Sequence, residues 1–387
     1  MTFLHLSDLH LGKRLGEYEL YEEQRAVLWE IVELCGARRP DAVLIAGDVY
    51  DKPVPTIEAV RLFDDFLGAL CDLNIPVLII SGNHDSGERL GFASGLIRKS
   101  GVYIAGAFEG APRCVTLQDD FGPVCFWLLP FLRPATVRAA FSALGLDTED
   151  ITDYTSAIRA AIGRATPDPA VRNVLVAHQF VTCRGHSPER CDSETLNAGG
   201  LDDVDLSVFD PYDYVALGHL HGPQRIGRNT ARYAGSPLPY SVSEQNHRKS
   251  VCLVKMEQKG RTEIELVGLH PLRGVRTVRG SLEELCAPDF PGREPREDYV
   301  LAQLRDEGAM QDPLARLRAV YPRLLGIELL RSGSGAAEFN AAALESARLD
   351  PMNALEEFFS GQLGRPMSRT QREIANSVFE RLREEQT

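Results

Sequence analysis

The chain has 387 residues, 44% hydrophobic and 25% charged, with a formal net charge of −13 at pH 7. That length exceeds one ordinary core and implies two or more globular domains. The acidic balance excludes a broad basic surface for nucleic acid, and no apolar run approaches the roughly eighteen residues needed to span a membrane.

The opening stretch, MTFLHLSDLH, has no basic leader and reaches Asp8 too early for a signal peptide, so a cytoplasmic protein is expected. FLHLS (3–7) reads as a buried strand with Asp8-Leu9-His10 at its tip. YEEQRAVLWEIVELCGARR then sets Val27, Leu28, Ile31 and Leu34 on one helical face. AVLIA (42–46) leads to Gly47-Asp48-Val49-Tyr50-Asp51. A second helix, TIEAVRLFDDFLGALCDL, carries Val60, Phe63, Leu67 and Leu70. VLIIS (77–81) ends in Gly82-Asn83-His84-Asp85, where Asp85 is expected to cap the following turn. This alternation argues an α/β domain.

From Val102 to Leu129, and from Arg225 to Leu269, strands follow one another across Gly-rich turns. Two sheets packed face to face with helices outside accommodate both regimes. Between them, residues 139–168 read as irregular helix, VLVA (174–177) leads to His178, and YVAL (214–217) leads to Gly218-His219-Leu220-His221. The eight cysteines contain no CxxC pair and read as reduced thiols. Cys183, His186 and Cys191 share one loop, but their spacing fits no zinc pattern.

Beyond about Pro271, YVLAQL and LLGIELL flank the helical DPLARLRAVYP, a small α+β module. RSGSGAAEFNAAAL (331–344) has a linker's composition. Two helices follow. The first has Asp350 as N-cap, Pro351 at N1, and Leu355, Phe358 and Phe359 on one face. The second opens with a Ser368/Gln371 capping box and presents Ile374, Val378, Phe379 and Leu382. The expected division is 1–270 catalytic, 271–332 capping, 333–349 linker and 350–387 docking helices.

The strand tips collect Asp8, His10, Asp48, Asn83, His178, His219 and His221, and in open α/β sheets ligands bind beyond the carboxyl ends of strands. Carboxylate, amide and imidazole donors without thiolate suit Mn²⁺, Fe²⁺ or Zn²⁺ better than Ca²⁺. Seven are too many for one ion with open positions. They suit two ions sharing a carboxylate, the arrangement that clamps the attacking and leaving oxygens of phosphoryl transfer. Glycines before Asp48, Asn83 and His219 allow close backbone approach.

D-x-H, GD-x-x-D, GNHD, a lone His and GH-x-H, in this order, resemble the calcineurin-like metallophosphoesterase superfamily. FLHLSDLHLGK, LIAGDVYDKPVPT, ISGNHDSGERL, YVALGHLHGPQ and YAGSPLPYSVSE are similar, within it, to the nuclease subunits of bacterial double-strand-break repair complexes. The likeness is dense over residues 1–270 and one of layout beyond. It implies a four-layer αββα sandwich with a small α+β capping domain and C-terminal helices. It also implies one metal on Asp8, His10, Asp48 and His221 and another on Asp48, Asn83, His178 and His219, with Mn²⁺ the expected ion. His84 is implied to stabilise developing charge and protonate the leaving oxygen, oriented by Asp51. Lys52 and Asp85 stand where the superfamily's protein phosphatases carry Arg and Glu, which disfavours that branch.

The resemblance further implies ATP-dependent 3′–5′ exonuclease action on double-stranded ends, endonuclease action on single strands and hairpins, and roles in DNA repair and recombination. The implied partner is a coiled-coil ABC-type ATPase docked on the terminal helices. A homodimer within a heterotetramer would form through TIEAVRLFDDFLGAL and RLGFASGLIRKS. No G-x-x-x-x-G-K-[ST] loop occurs, so ATP hydrolysis would belong to the partner. Two alternatives stay open: a stand-alone small-molecule phosphodiesterase, which needs only the sandwich, and a non-catalytic scaffold of the same fold.

Overall fold

A computed structural model describes residues 1–194, 203–306 and 310–330, and beyond them residues 352, 355, 356, 359, 366–372 and 375. The first half alternates strand and helix: β1 (Thr2–Leu6), α1 (Tyr21–Arg38), β2 (Ala42–Ala46), α2 (Ile57–Asp72), β3 (Val77–Ile80) and β4 (Val102–Ala105). A hairpin of β5 (Arg113–Asp119) and β6 (Gly122–Leu129) precedes α3 (Pro134–Ala143) and α4 (Tyr154–Ile162). Then come β7 (Arg172–His178), β8 (Tyr214–Gly218), β9 (Gln224–Ile226), β10 (Arg228–Tyr233), β11 (Ser250–Met256) and β12 (Thr262–Gly268).

These strands form two six-stranded sheets, ordered β12-β11-β1-β2-β3-β4 and β9-β10-β8-β7-β6-β5. The centre of each sheet is parallel. Every residue of β2, β3, β7 and β8 is buried, which is why they read as unbroken apolar runs rather than alternating ones. Phe3, Leu44, Leu78 and Ile80 of the first sheet pack on Phe126, Val174, Val176 and Tyr214 of the second. The Phe3 ring meets both Phe126 and Tyr214 edge-on at 5.5 Å.

Helices α1 and α2 cover the outer face of the first sheet through Val27, Leu28, Ile31, Leu62, Phe63, Phe66 and Leu70. Val137 and Phe141 of α3 and Ile158 and Ile162 of α4 cover the second. The result is a four-layer αββα sandwich. The face of α2 differs from the expected one. Val60 is 44% exposed and Leu67 only half-buried, while Ala59, Leu62 and Phe66 turn inward. This helix has more apolar residues than one face can bury, and the two phenylalanines settle its rotation.

After Gly268 a separate parallel sheet forms from β13 (Val275–Gly280), β14 (Tyr299–Leu304) and β15 (Arg323–Leu329), with α5 (Leu282–Cys286) and α6 (Pro313–Val320). Its own core contains Val278, Leu285, Val300, Leu304, Leu317 and Tyr321. It sits on the start of α1. Glu23, 3% exposed, accepts from Arg273 and from the Tyr299 hydroxyl at 2.8 Å. Nearby, the Tyr18 hydroxyl donates to the carbonyls of Pro322 and Leu324.

Residues 330–387 make up a second unit. In it the Ser368/Gln371 capping box is formed in both directions, at 3.0 and 3.3 Å. Leu355 and Phe359 are helical and half-buried. Phe358, Ile374, Val378, Phe379, Leu382 and the expected linker lie outside the described residues. Among the described residues no helix is long and apolar enough to cross a membrane.

Candidate metal centre

The carboxyl ends of β1, β2 and β3 meet those of β7 and β8, and the meeting is close enough to require glycine. A Cβ on Gly218 would lie 1.9 Å from the Ala46 carbonyl, and one on Gly82 would lie 2.1 Å from Asp48 Oδ1. Leaving their strands, Asp8, His10 and Asp48 enter the left-handed region at φ 54°, 44° and 49°, and His219 stands at φ 104°. Such backbone costs a non-glycine residue about 1–3 kcal/mol and persists only where the surroundings enforce it. Here the enforcement includes tip-to-tip bonds, Asp8 N to Gly47 O (3.1 Å) and His10 N to Asp48 O (2.9 Å).

All seven expected ligands converge, in two groups joined at Asp48. In the first, His10 Nε2 is 3.1 Å from His221 Nε2 and 3.6 Å from Asp48 Oδ2. Asp8 joins it, since ligand atoms of Asp8, His10 and His221 lie within 4.8 Å of one another. In the second, His178 Nε2 is 3.3 Å from the same Asp48 Oδ2 and 3.0 Å from Asn83 Oδ1, and His219 Nδ1 is 2.9 Å from that amide oxygen. Asp8, His10, Asp48, His178 and His221 are almost wholly buried.

The donor set fits divalent cations. His178 points Nδ1 at the Ala46 carbonyl (2.8 Å), so that nitrogen carries the proton. Nε2 then faces two oxygen acceptors, Asp48 Oδ2 and Asn83 Oδ1, which call for positive charge there, a proton on the ring or a cation in its place. Likewise His221 directs Nδ1 at the Ser193 hydroxyl (2.8 Å) and at Glu244 Oε1 (3.4 Å), leaving Nε2 to face His10 Nε2. A cation between these two facing ring nitrogens would satisfy both. Burial pushes His10 and His219 down to about 3, so both are neutral, the form that binds metal. Burial opposes charge on His178 too, but the adjacent Asp48 carboxylate raises it to about 9. Asp48 is held well below its usual value: burial works against its charge, and His178 and His10 overcome it.

A polar shell behind the ligands was not anticipated from the sequence. Glu244, 1% exposed, accepts from Ser193 Oγ at 2.6 Å and from Tyr240 N at 3.1 Å, and pairs with the buried Lys249. Lys249 also donates to Ser236 Oγ (2.8 Å) and to the His221 carbonyl (3.0 Å), while Glu194 holds the His221 amide at 2.8 Å. Gln24 of α1 donates to the His10 carbonyl at 2.7 Å and accepts from Gly12 N at 3.0 Å. Of these, Ser236, Tyr240 and Glu244 fall within YAGSPLPYSVSE, and Ser193 and Glu194 end RGHSPERCDSE, the loop that carries His186 and Cys191.

His84 lies beside the first group, its ligand atom within 4.8 Å of those of His10 and Asp48. Its amide donates to Asp48 Oδ1 at 2.8 Å, and its Nδ1 meets the backbone carbonyl of Asp51 at 2.9 Å. The Asp51 contact to this ring therefore comes from the main chain. The Asp51 carboxylate pairs with Lys13 at 2.7 Å and stands 3.6 Å from His10 Nδ1. Asp85 does not cap the turn after it. Its carboxylate accepts from Gly82, Val49 and Tyr50 amides at 2.9–3.1 Å, bridging two strand tips, and Ser86 takes the N-cap position. Cys183 and His186 bond through their backbones, and Cys191 Sγ is 3.9 Å from His247 Nε2. Among the described residues, that loop forms no candidate ligand cluster.

The chain resembles known proteins over nearly its full length. A family model described as calcineurin-like phosphoesterase matches residues 1–223, and one described as Type 5 capsule protein repressor C-terminal domain matches residues 271–362. The SbcD subunit of the nuclease SbcCD from Staphylococcus epidermidis is 29% identical over 375 residues, 96% of either chain. Its counterpart from Staphylococcus saprophyticus is 28% identical over 391 residues, 100% of this chain and 99% of its own. Among solved structures, a dimetal phosphatase from Danio rerio covers 69% of this chain and 96% of its own, with 14% identity and a TM-score of 0.40.

Proposed function

The chain belongs to the calcineurin-like phosphoesterase family, and from that premise we propose that it is the metal-dependent nuclease subunit of a DNA double-strand-break repair complex. The observation that carries this reading is the Asp48 carboxylate, within 3.6 Å of His10 and 3.3 Å of His178, which gives two donor groups one common oxygen. Asp8, His10, Asp48 and His221 would hold one cation and Asp48, Asn83, His178 and His219 the other. Bound there, two divalent ions, Mn²⁺ in our reading, supply Lewis acidity at the phosphodiester and acidify a water.

The protein's own groups do the rest. Asn83 contributes a neutral oxygen where a phosphate must approach. The Asp51 carbonyl holds the His84 ring by Nδ1, and in this reading Nε2 is the atom that carries a proton to the leaving oxygen. Asp85 keeps the His84 tip against the Asp48 tip.

The full-length similarity to the SbcD subunits of SbcCD nucleases supports DNA as substrate and an SbcC-type coiled-coil ABC ATPase as partner, docked on residues 350–387. In this reading the pair degrades double-stranded ends 3′ to 5′ with ATP and cuts single strands and hairpins. A homodimer within a heterotetramer is favoured by exposed apolar side chains at the proposed seam: Val54, Ile57 and Val60 around the start of α2, and Phe92 and Leu96 after β3.

The test is cleavage of a linear duplex in Mn²⁺, with and without the co-purified ATPase. ATP-stimulated shortening of the duplex is expected only with the partner. Hydrolysis of bis-p-nitrophenyl phosphate without any action on DNA would return the small-molecule phosphodiesterase.

A further inference from the structure

Two arginines stand beside the second donor group, and no carboxylate among the described residues pairs with either. Phe131 follows β6 and Phe180 follows β7. The Phe131 ring stacks on His219, centroids 6.4 Å apart at 21°, and meets His178 edge-on at 6.1 Å. Phe180 meets His219 edge-on at 6.5 Å. Arg133 holds its guanidinium 5.7 Å from the centre of the Phe131 ring, and Arg190 lies 3.6 Å over Phe180. Both arginines are exposed. Among the described residues, neither forms an ion pair or a side-chain hydrogen bond.

In a chain of net charge −13, carboxylates to pair with are plentiful, and elsewhere on this surface arginines find them, as Arg38 finds Glu265. Stacking on a ring occupies the face of a guanidinium and leaves its edge, the donor fork, for a planar or tetrahedral oxyanion. It also limits rotamer freedom before a ligand arrives, which lowers the entropy lost on binding. Each guanidinium packs on a ring that in turn touches His219. A small phosphodiester held between the two donor groups has no further anionic group to meet these forks. A nucleic-acid strand has such groups, the phosphates neighbouring the bond being cut.

We propose that Arg133 and Arg190 form a phosphate-binding rim that grips a nucleic-acid strand on the His178–His219 side of the centre. This deepens the nuclease reading and rests on it. It also locates part of the local positive surface that an acidic nuclease needs.

The test compares the full chain with the double variant Arg133→Met/Arg190→Met, in which methionine still covers both rings. A single-stranded oligodeoxynucleotide is titrated as inhibitor of Mn²⁺-dependent bis-p-nitrophenyl phosphate hydrolysis, at several salt concentrations. The ratio of oligonucleotide Ki to small-substrate KM is expected to rise about tenfold in the variant, since two charge-assisted contacts are lost. The slope of log Ki against log salt should flatten by about 1.4, or 0.7 for each single-strand phosphate contact removed. An unchanged ratio and slope would leave the arginines as mere covers of two rings and end the proposal. If the oligonucleotide fails to inhibit even the unmodified chain, the nuclease reading itself falls, and the rim with it.

Discussion

His84 illustrates how much depends on which atom makes a contact. Its amide touches the shared carboxylate and its ring hangs from a carbonyl, so removing the ring leaves the Asp48 geometry supported by the same main-chain bond. His84→Ala is expected to bind two Mn²⁺ as the unmodified chain does, read by calorimetry, while cleavage drops by about 10²–10⁴. Loss of an ion from that variant would make His84 a ligand, which its place within 4.8 Å of His10 and Asp48 permits. Glu244 makes the opposite case, since it touches no expected cation position and acts through His221. Glu244→Gln should weaken Mn²⁺ at one of two sites by about 10–100-fold. It should also lower the melting temperature, because Lys249 is left buried without its counter-charge. Equal isotherms for variant and parent would reduce Glu244 to scaffolding. The convergence of the seven expected donors was legible because each follows a buried apolar strand and the tips share one donor chemistry. Glu244, Glu194 and Gln24 were not, since each lies more than a dozen residues from the ligand it serves and no periodicity marks it.

Among the elements, the strands were the easiest to read, since parallel strands covered on both faces are written as uninterrupted Val, Ile, Leu and Ala. β13 escaped notice because VRTVRG breaks its apolar positions with arginines; one of them, Arg276, turns to Asp298 and loop carbonyls. Helix α2 was found, but its rotation was not, because a surplus of apolar residues offers two plausible faces. The contact between the sheet tips makes a sharp forecast. Gly218→Ala places a methyl 1.9 Å from the Ala46 carbonyl oxygen, with His178 Nδ1 at 2.8 Å and Ser7 Cβ at 3.0 Å closing the remaining space. A loss of more than about 1 kcal/mol is expected in urea melts. Far-ultraviolet circular dichroism should keep its sandwich signature while Mn²⁺ affinity falls. Wild-type stability in that variant would show that the tips stand further apart than described.

At the scale of the whole molecule, the sandwich and the three-stranded module each possess a core, and the terminal residues form a unit of their own. Truncation after residue 345 should leave hydrolysis of bis-p-nitrophenyl phosphate within about twofold and abolish co-purification of the ATPase. A truncated chain that still captures the ATPase would move the docking surface elsewhere. The sequence announced this division through a change of composition near residue 331. It could not announce where the three-stranded module rests, which depends on tyrosine and arginine contacts made across more than two hundred residues.

That resting place has a mechanical corollary. Successive residues of α1 face two masters: Glu23 carries Arg273 and Tyr299 of the three-stranded module, and Gln24 carries the carbonyl of His10. A helix transmits displacement along its axis as a stiff rod does. Torque applied to the outlying module would thus arrive, one peptide later, at the loop where the first imidazole is hung.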